Sequence, residues 1–215
     1  AKPIWLKDKS KEKNVHARFT TNFVGEEDAV LKITGATFYK VILNGKLIHY
    51  GPAPTAGGYA RIDELKLITL AGQRNTLTLE VAGYNCFSYA AVKQPSYVCA
   101  EVTKGGKILA ATGFDFDGYL VASREQKVLR YSFQRHFTEV WHLDTEDVKC
   151  QTEVVATDVK YLERKAPLPD MFVENMAGVY SKGEFTKKES NMEIPSLQGA
   201  VDNIGDIIDG FTLEE

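Results

Sequence analysis

Cysteine is scarce in this chain. Cys86, Cys99 and Cys150 are the only three among 215 residues, far apart and never in a Cys-x-x-Cys pair. That excludes a disulfide-framework fold, a zinc ribbon and a thioredoxin-type redox centre. At most one bridge can form, so the cysteines leave the compartment open. They are expected to act as small buried hydrophobes with free thiols. Long apolar runs are missing as well: none approaches the roughly 18 residues of a membrane-spanning helix. The opening Ala1-Lys2-Pro3-Ile4-Trp5 lacks the regions of a signal peptide, so the expectation is a mature or trimmed chain without membrane insertion. Nor does one sign of charge dominate, since 26 Lys+Arg stand against 29 Asp+Glu, a formal net charge of −3. Without a basic stripe interleaved with aromatics, no nucleic-acid partner is expected.

Helical periodicity is the remaining absence. The best candidate, Ile62–Leu70, makes about two turns, too short to cross over a parallel sheet. Period 2 is what the chain has instead. Val15, Ala17, Phe19, Thr21 and Phe23 alternate with more polar neighbours, as do Leu77, Leu79 and Val81. Thr37–Leu43, rich in β-branched and aromatic residues, leads through Asn44-Gly45 into Lys46–Tyr50; Asn-Gly readily takes the two positive φ angles of a type I′ hairpin turn. Gly105-Gly106 separates Tyr97–Thr103 from Lys107–Thr112 in the same manner, and Lys127–Phe137 and Val148–Ala156 are further strand-like runs. At least seven strands are implied before residue 156. An antiparallel β-sandwich buries such alternating faces.

After residue 160 the composition changes. Pro167 and Pro169 deny ladder donors, and the stretch to Pro195 is polar. The expected organisation is a β-sandwich over residues 1–156, then a linker and the start of a second β-module over 157–215. Leu162, Leu168, Met171 and Phe172 are the expected anchors of the linker.

A resemblance rests on several segments in order: Ala36-Thr37-Phe38-Tyr39-Lys40-Val41-Ile42-Leu43-Asn44-Gly45-Lys46, Tyr50-Gly51-Pro52-Ala53, Tyr59-Ala60-Arg61-Ile62-Asp63 and Gly72-Gln73-Arg74-Asn75 leading into Thr76–Val81. Together with Ala82–Tyr89, Tyr131–Trp141 and Leu162–Pro169, this resembles the N-terminal β-sandwich of bacterial α-L-rhamnosidases and related glycoside hydrolases. The resemblance implies a galactose-binding-like jelly roll, followed in such enzymes by further β-modules and an (α/α)₆ barrel. That barrel carries an inverting acid/base pair. No barrel helices are present here, so no catalytic residue carries over. The implied partners are the rest of the chain's own polypeptide and a plant or microbial glycan. The implied location is periplasmic or secreted, and no cofactor is expected.

Inverting glycoside hydrolysis needs two carboxyls roughly 6.5–9.5 Å apart. Asp115 and Asp117, set between Phe114 and Phe116, suit a solvated strand edge with a buried Phe face better. Glu26-Glu27-Asp28 and Asp144, Glu146 and Asp147 suit turns beside strand ends. His16, His49, His136 and His142 are dispersed and show no two-ligand metal spacing. Sugar binding needs an aromatic platform beside polar groups. Tyr84, Asn85, Ser88 and Tyr89 supply both after one strand, and Tyr50, Tyr59, Arg61 and Asp63 are candidates from neighbouring loops. Trp5 and Trp141 are expected in core or inter-module packing. Three readings stay open: a non-catalytic enzyme module that scaffolds and lines a glycan cleft, an independent carbohydrate-binding module, and a ligand-free structural β-sandwich.

Overall fold

The structure, a computed structural model, describes residues 1–128, 130, 133, 134, 136–169 and 177–179, and the backbone alone of 184–189 and 208–214. Among the described residues there are strands and no α-helix. One sheet has six strands in the order β11 (Val148–Cys150), β10 (Asp117–Leu120), β2 (Val15–Val24), β7 (Arg74–Gly83), β4 (Phe38–Leu43) and β5 (Lys46–Gly51), antiparallel throughout. The other has seven: β12 (Thr152–Val154), β1 (Ile4–Leu6), β8 (Tyr97–Lys104), β3 (Val30–Ala36), β6 (Tyr59–Lys66) and β13 (Lys160–Glu163), with β9 (Lys107–Ala111) paired to β8. Its one parallel pair is β6 with β13. β14 (Glu184–Glu189) and β15 (Ile208–Glu214) form a separate antiparallel pair.

The two sheets close over one apolar core, which makes this a β-sandwich. On β2, Val15, Ala17, Phe19, Thr21 and Phe23 point inward while His16, Arg18, Thr20 and Asn22 point out. The β2–β7 register sets Ala17 opposite Val81, Phe19 opposite Leu79 and Thr21 opposite Leu77, so the inward rows of both strands coincide. Leu31, Ile33, Val98, Ala100 and Val102 of the facing sheet complete the core, and the fully buried Trp5 lies 5.6 Å from Phe19, ring centre to ring centre. Burying each such side chain is worth roughly 1.5–3 kcal/mol.

Both hairpin turns form with the required left-handed residues: φ is 50° and 78° at Asn44 and Gly45, and 54° and 83° at Gly105 and Gly106. Two expectations need correction. Ile62–Leu70 is not a helix; Ile62 to Lys66 belong to β6, and the alternation was hidden because an inward position holds a carboxylate, Asp63. Lys127–Phe137 is not a strand where it is described, and residues 129, 131, 132 and 135 lie outside the described residues. Val148–Ala156 divides into β11 and β12, which join different sheets, so the chain changes layer at Gln151. Past residue 156 the seven-stranded sheet continues, through β13. Of the linker anchors, Leu162 and Leu168 are partly exposed, while Met171 and Phe172 lie outside the described residues.

Candidate functional site

On the outward face of the six-stranded sheet, strand register builds one continuous row: Lys149, Tyr119, Arg18, Glu80, Lys40 and Tyr50 are successive cross-strand partners. A second row sets His16 opposite Ala82 and Ala82 opposite Phe38. Val121, Arg124, Glu139 and Trp141 stand beside these rows: the Val121 N–H donates to the His16 carbonyl at 3.0 Å, and Arg124 bridges to Trp141. A half-open pocket of about 240 Å³ lies between them. Its lining includes the aromatic residues Phe38, Tyr50, Tyr84 and Trp141 and the charged residues Arg18, Lys40, Glu80, Arg124 and Glu139.

The aromatic groups brace each other. Tyr50 stacks on Phe38 with centroids 5.9 Å apart, and Tyr84 meets Phe38 edge-on at 6.2 Å. Behind Tyr84, the His136 ring stacks at 4.3 Å. Burial, with Arg130 adding to it, pushes the His136 pKa down to about 4, so this imidazole is neutral near pH 7. Its Nε2 lies 3.0 Å from Ser88 Oγ. Among the described residues no carboxylate is placed to orient the ring as an activated serine requires, and the Ser88 oxygen also accepts the Ala90 N–H at 3.2 Å.

Charges around the pocket are mostly committed. The Arg18 guanidinium gives two hydrogen bonds to Glu80, at 2.8 and 3.2 Å, and also contacts Asp147. The Arg124 guanidinium contacts the His16 ring, lies 3.3 Å from Glu139, and packs over Tyr84 and Trp141. Burial, then the neighbouring Arg124 and Lys40, holds His16 well below the ordinary imidazole value. Glu139 accepts the Trp141 indole N–H at 3.0 Å.

The sequence-expected residues divide among different places. Tyr50 and Tyr84 come together in this pocket. Asn85 is buried and donates to the Lys11 carbonyl at 2.6 Å, and Tyr89 is highly exposed, edge-on to Phe133. Tyr59 and Arg61 line a separate cavity of only about 50 Å³, room for little more than water, and Arg61 donates to the Pro54 carbonyl.

Asp63 is fully buried inside the sandwich and exposes no oxygen to a ligand. It takes hydrogen bonds from Tyr39 Oη at 2.5 Å, His49 Nε2 at 2.8 Å and Arg164 Nη1 at 3.1 Å. Burial alone would raise its pKa, but these three donors outweigh burial and hold it below the usual carboxylate value. An ionised carboxylate has no proton to give, so His49 must be the donor of its pair. Gly51 belongs to this network too, since a Cβ there would stand 2.6 Å from Tyr39 Oη.

Sequence reasoning missed Arg18, Lys40, Glu80, Arg124 and Glu139; Trp141, expected in core or inter-module packing, is about half exposed and lines the pocket, so it is not a core residue of this sandwich. The outward alternation of β2, β4 and β7 carried a signal for the first three. No local signal marks Arg124 or Trp141, because a long-range approach of the chain brings them here. Elsewhere, Asp115 is tied to the Ala111 N–H at 2.8 Å and Asp117 to Lys149 at 3.0 Å. Phe114 is exposed beside Lys2, so only Phe116 of that pair is buried. The three thiols are free, with Cys86 buried but Cys99 and Cys150 only partly so. Among the described residues, no group of three His, Cys, Asp or Glu side chains could hold a metal ion.

The sequence matches no protein-family profile and no curated protein. In fold, the chain is similar to the GH78 family rhamnosidase of Bacillus sp. GL1, with a TM-score of 0.70 and 19% identity over 78% of this chain and 20% of that one. It is also similar to the α-L-rhamnosidase of Dictyoglumus thermophilum, with a TM-score of 0.54 and 11% identity over 78% of this chain and 22% of that one. The chain thus spans about a fifth of the length of the solved proteins it resembles.

Proposed function

We propose that this chain is a non-catalytic β-sandwich module of an α-L-rhamnosidase-like glycoside hydrolase, which scaffolds the enzyme and lines part of its glycan cleft. The observation that carries this reading is the shared fold: nearly four-fifths of the chain superposes on a fifth of a GH78 rhamnosidase. The site chemistry is compatible with it. Asp115 and Asp117 are each held by a local partner, and among the described residues the Ser88–His136 pair has no orienting carboxylate. The galactose-binding-like jelly roll and the secreted or periplasmic location belong to the same proposal. A second reading, direct carbohydrate binding by the module itself, is favoured by the aromatic and charged pocket on the six-stranded sheet.

The test is an assay with an aryl α-L-rhamnoside. The pure 215-residue chain is expected to give no turnover, while the full product of the gene, purified from its source, hydrolyses the substrate with inversion. Turnover by the chain itself, or a full gene product without glycosidase activity, would overturn the proposal.

A further inference from the structure

We infer that the pocket beneath Trp141 binds the carboxylate-bearing ring of an acidic glycan, a uronic acid residue, a deepening that rests on the glycan-contacting reading above. The argument is a donor surplus. Both carboxylates of the lining are already in use: Glu80 takes two bonds from Arg18, and Glu139 takes the Trp141 N–H and faces Arg124. Two cations are not neutralised to the same extent, and one of them, Lys40, has a donor open to a ligand. Arg124, only 6% exposed, has an Nε with no hydrogen-bond partner. Lys40 projects from the outward row with no ion pair or hydrogen bond among the described residues, although the residues opposite it in register are Glu80 and Tyr50.

A buried guanidinium nitrogen left without an acceptor is expensive. That nitrogen is closed off from the pocket, so Arg124 acts on an occupant through its positive charge, and the exposed Lys40 ammonium is the donor that a charged carboxylate meets in the stronger bond. The exposed ring surfaces of Tyr50 and Trp141 suit the apolar C–H face of a pyranose. At about 240 Å³ the pocket falls below the roughly 300–1,000 Å³ of drug-sized sites, which suits one sugar ring. A carboxylate at the Lys40–Arg124 side with the ring over the aromatics uses both features at once.

Tryptophan fluorescence reads this site selectively, because Trp5 is fully buried and Trp141 is 47% exposed. The whole chain is titrated with short galacturonic acid oligomers, their methyl esters and inorganic phosphate. The acid is expected to perturb Trp141 and to bind about tenfold tighter than the ester, as one charge-assisted hydrogen bond allows. Added salt should weaken the acid and spare the ester. Lys40 is exposed, so Lys40→Met should fold normally and abolish the preference for the acid. Tyr50→Ala should weaken acid and ester alike.

Equal affinity for acid and ester, binding unchanged by Lys40→Met, phosphate competing as well as the uronate, or no binding at all would each overturn the inference. Its failure is distinguishable from failure of the module reading. A full gene product that hydrolyses α-L-rhamnosides while this chain ignores uronates would sink only the inference. Uronate binding with no glycosidase activity in the full product would sink only the module reading.

Discussion

Replacing Asp63 by Asn keeps the volume of the side chain and removes its charge from the centre of the sandwich. Three donors converge on the carboxylate, from Tyr39 on β4, His49 on β5 and Arg164 just beyond β13. A carboxamide offers one acceptor oxygen, and its amide N–H₂ faces donors. Arg164 then loses its buried counter-charge. Removing one partner of a buried ion pair costs about 3–5 kcal/mol. The Arg164 side chain retains 12% exposure and can be partly hydrated, so the low end, about 3 kcal/mol, applies. At about 2–4 °C per kcal/mol for a domain of this size, Tm should fall by about 6–12 °C. Arg164→Ala breaks the 3.1 Å contact with Asp63 together with the bonds Arg164 gives the Ala166 and Pro167 carbonyls, and should cost about 1.5–3 kcal/mol. The double variant should lose less than the sum of the two singles, because the partners are coupled.

The pH dependence gives an independent check. The folded Asp63 pKa lies below its unfolded value, so the stabilisation is fully present above the unfolded value of about 3.9 and is lost as pH falls through the folded pKa. Urea melts followed by circular dichroism at pH 7, 5 and 3 measure this. The gap between the native chain and Asp63→Asn should be the same at pH 7 and 5 and narrower at pH 3. A loss under about 1 kcal/mol at pH 7, the scale of a net neutral hydrogen bond, would refute the view of Asp63 as a charged core node.

Further expectations follow from packing and titration. Gly83→Ala would set a Cβ 2.6 Å from Trp5 Cζ2 and 2.8 Å from Ser96 Cβ, and overpacking of this kind should cost about 1–3 kcal/mol, read from the urea midpoint at constant slope. His16 and His136 both have folded pKa values below the unfolded one, His136 at about 4, so they take up protons more readily when unfolded. Stability should therefore decline as pH falls from about 6.5 toward 4, and His136→Phe should flatten part of that decline in pH-dependent urea melts. Labelling in denaturant without reductant should find three thiols; in the native state Cys86 should react last, and burial, which raises the Cys99 thiol pKa, should slow that site at neutral pH. Finding a single thiol would mean that a bridge forms.

What the sequence determined by itself is local. Alternation over Val15–Phe23 and Leu77–Val81 fixes which side chains of a strand share a face, because successive Cβ atoms of extended backbone point to opposite sides. Asn44-Gly45 and Gly105-Gly106 specify two hairpins, because few other pairs accept two positive φ angles. A β-sandwich follows from those elements and the want of helices. The tertiary structure decided everything that needs non-local register. Asp63 reads as a surface carboxylate beside Tyr59 and Arg61, yet β3–β6 pairing sets it opposite the inward Ile33, and Arg164, a hundred residues away, joins Tyr39 and His49 in making its burial tolerable. Tyr50 and Tyr84 meet because β4 joins β5 to β7, and Arg124 reaches them through a contact with His16, 108 residues away in sequence, bringing Trp141 with it. Contacts over such separations leave no period in the sequence, since they depend on which strands pair and not on how any one of them is patterned.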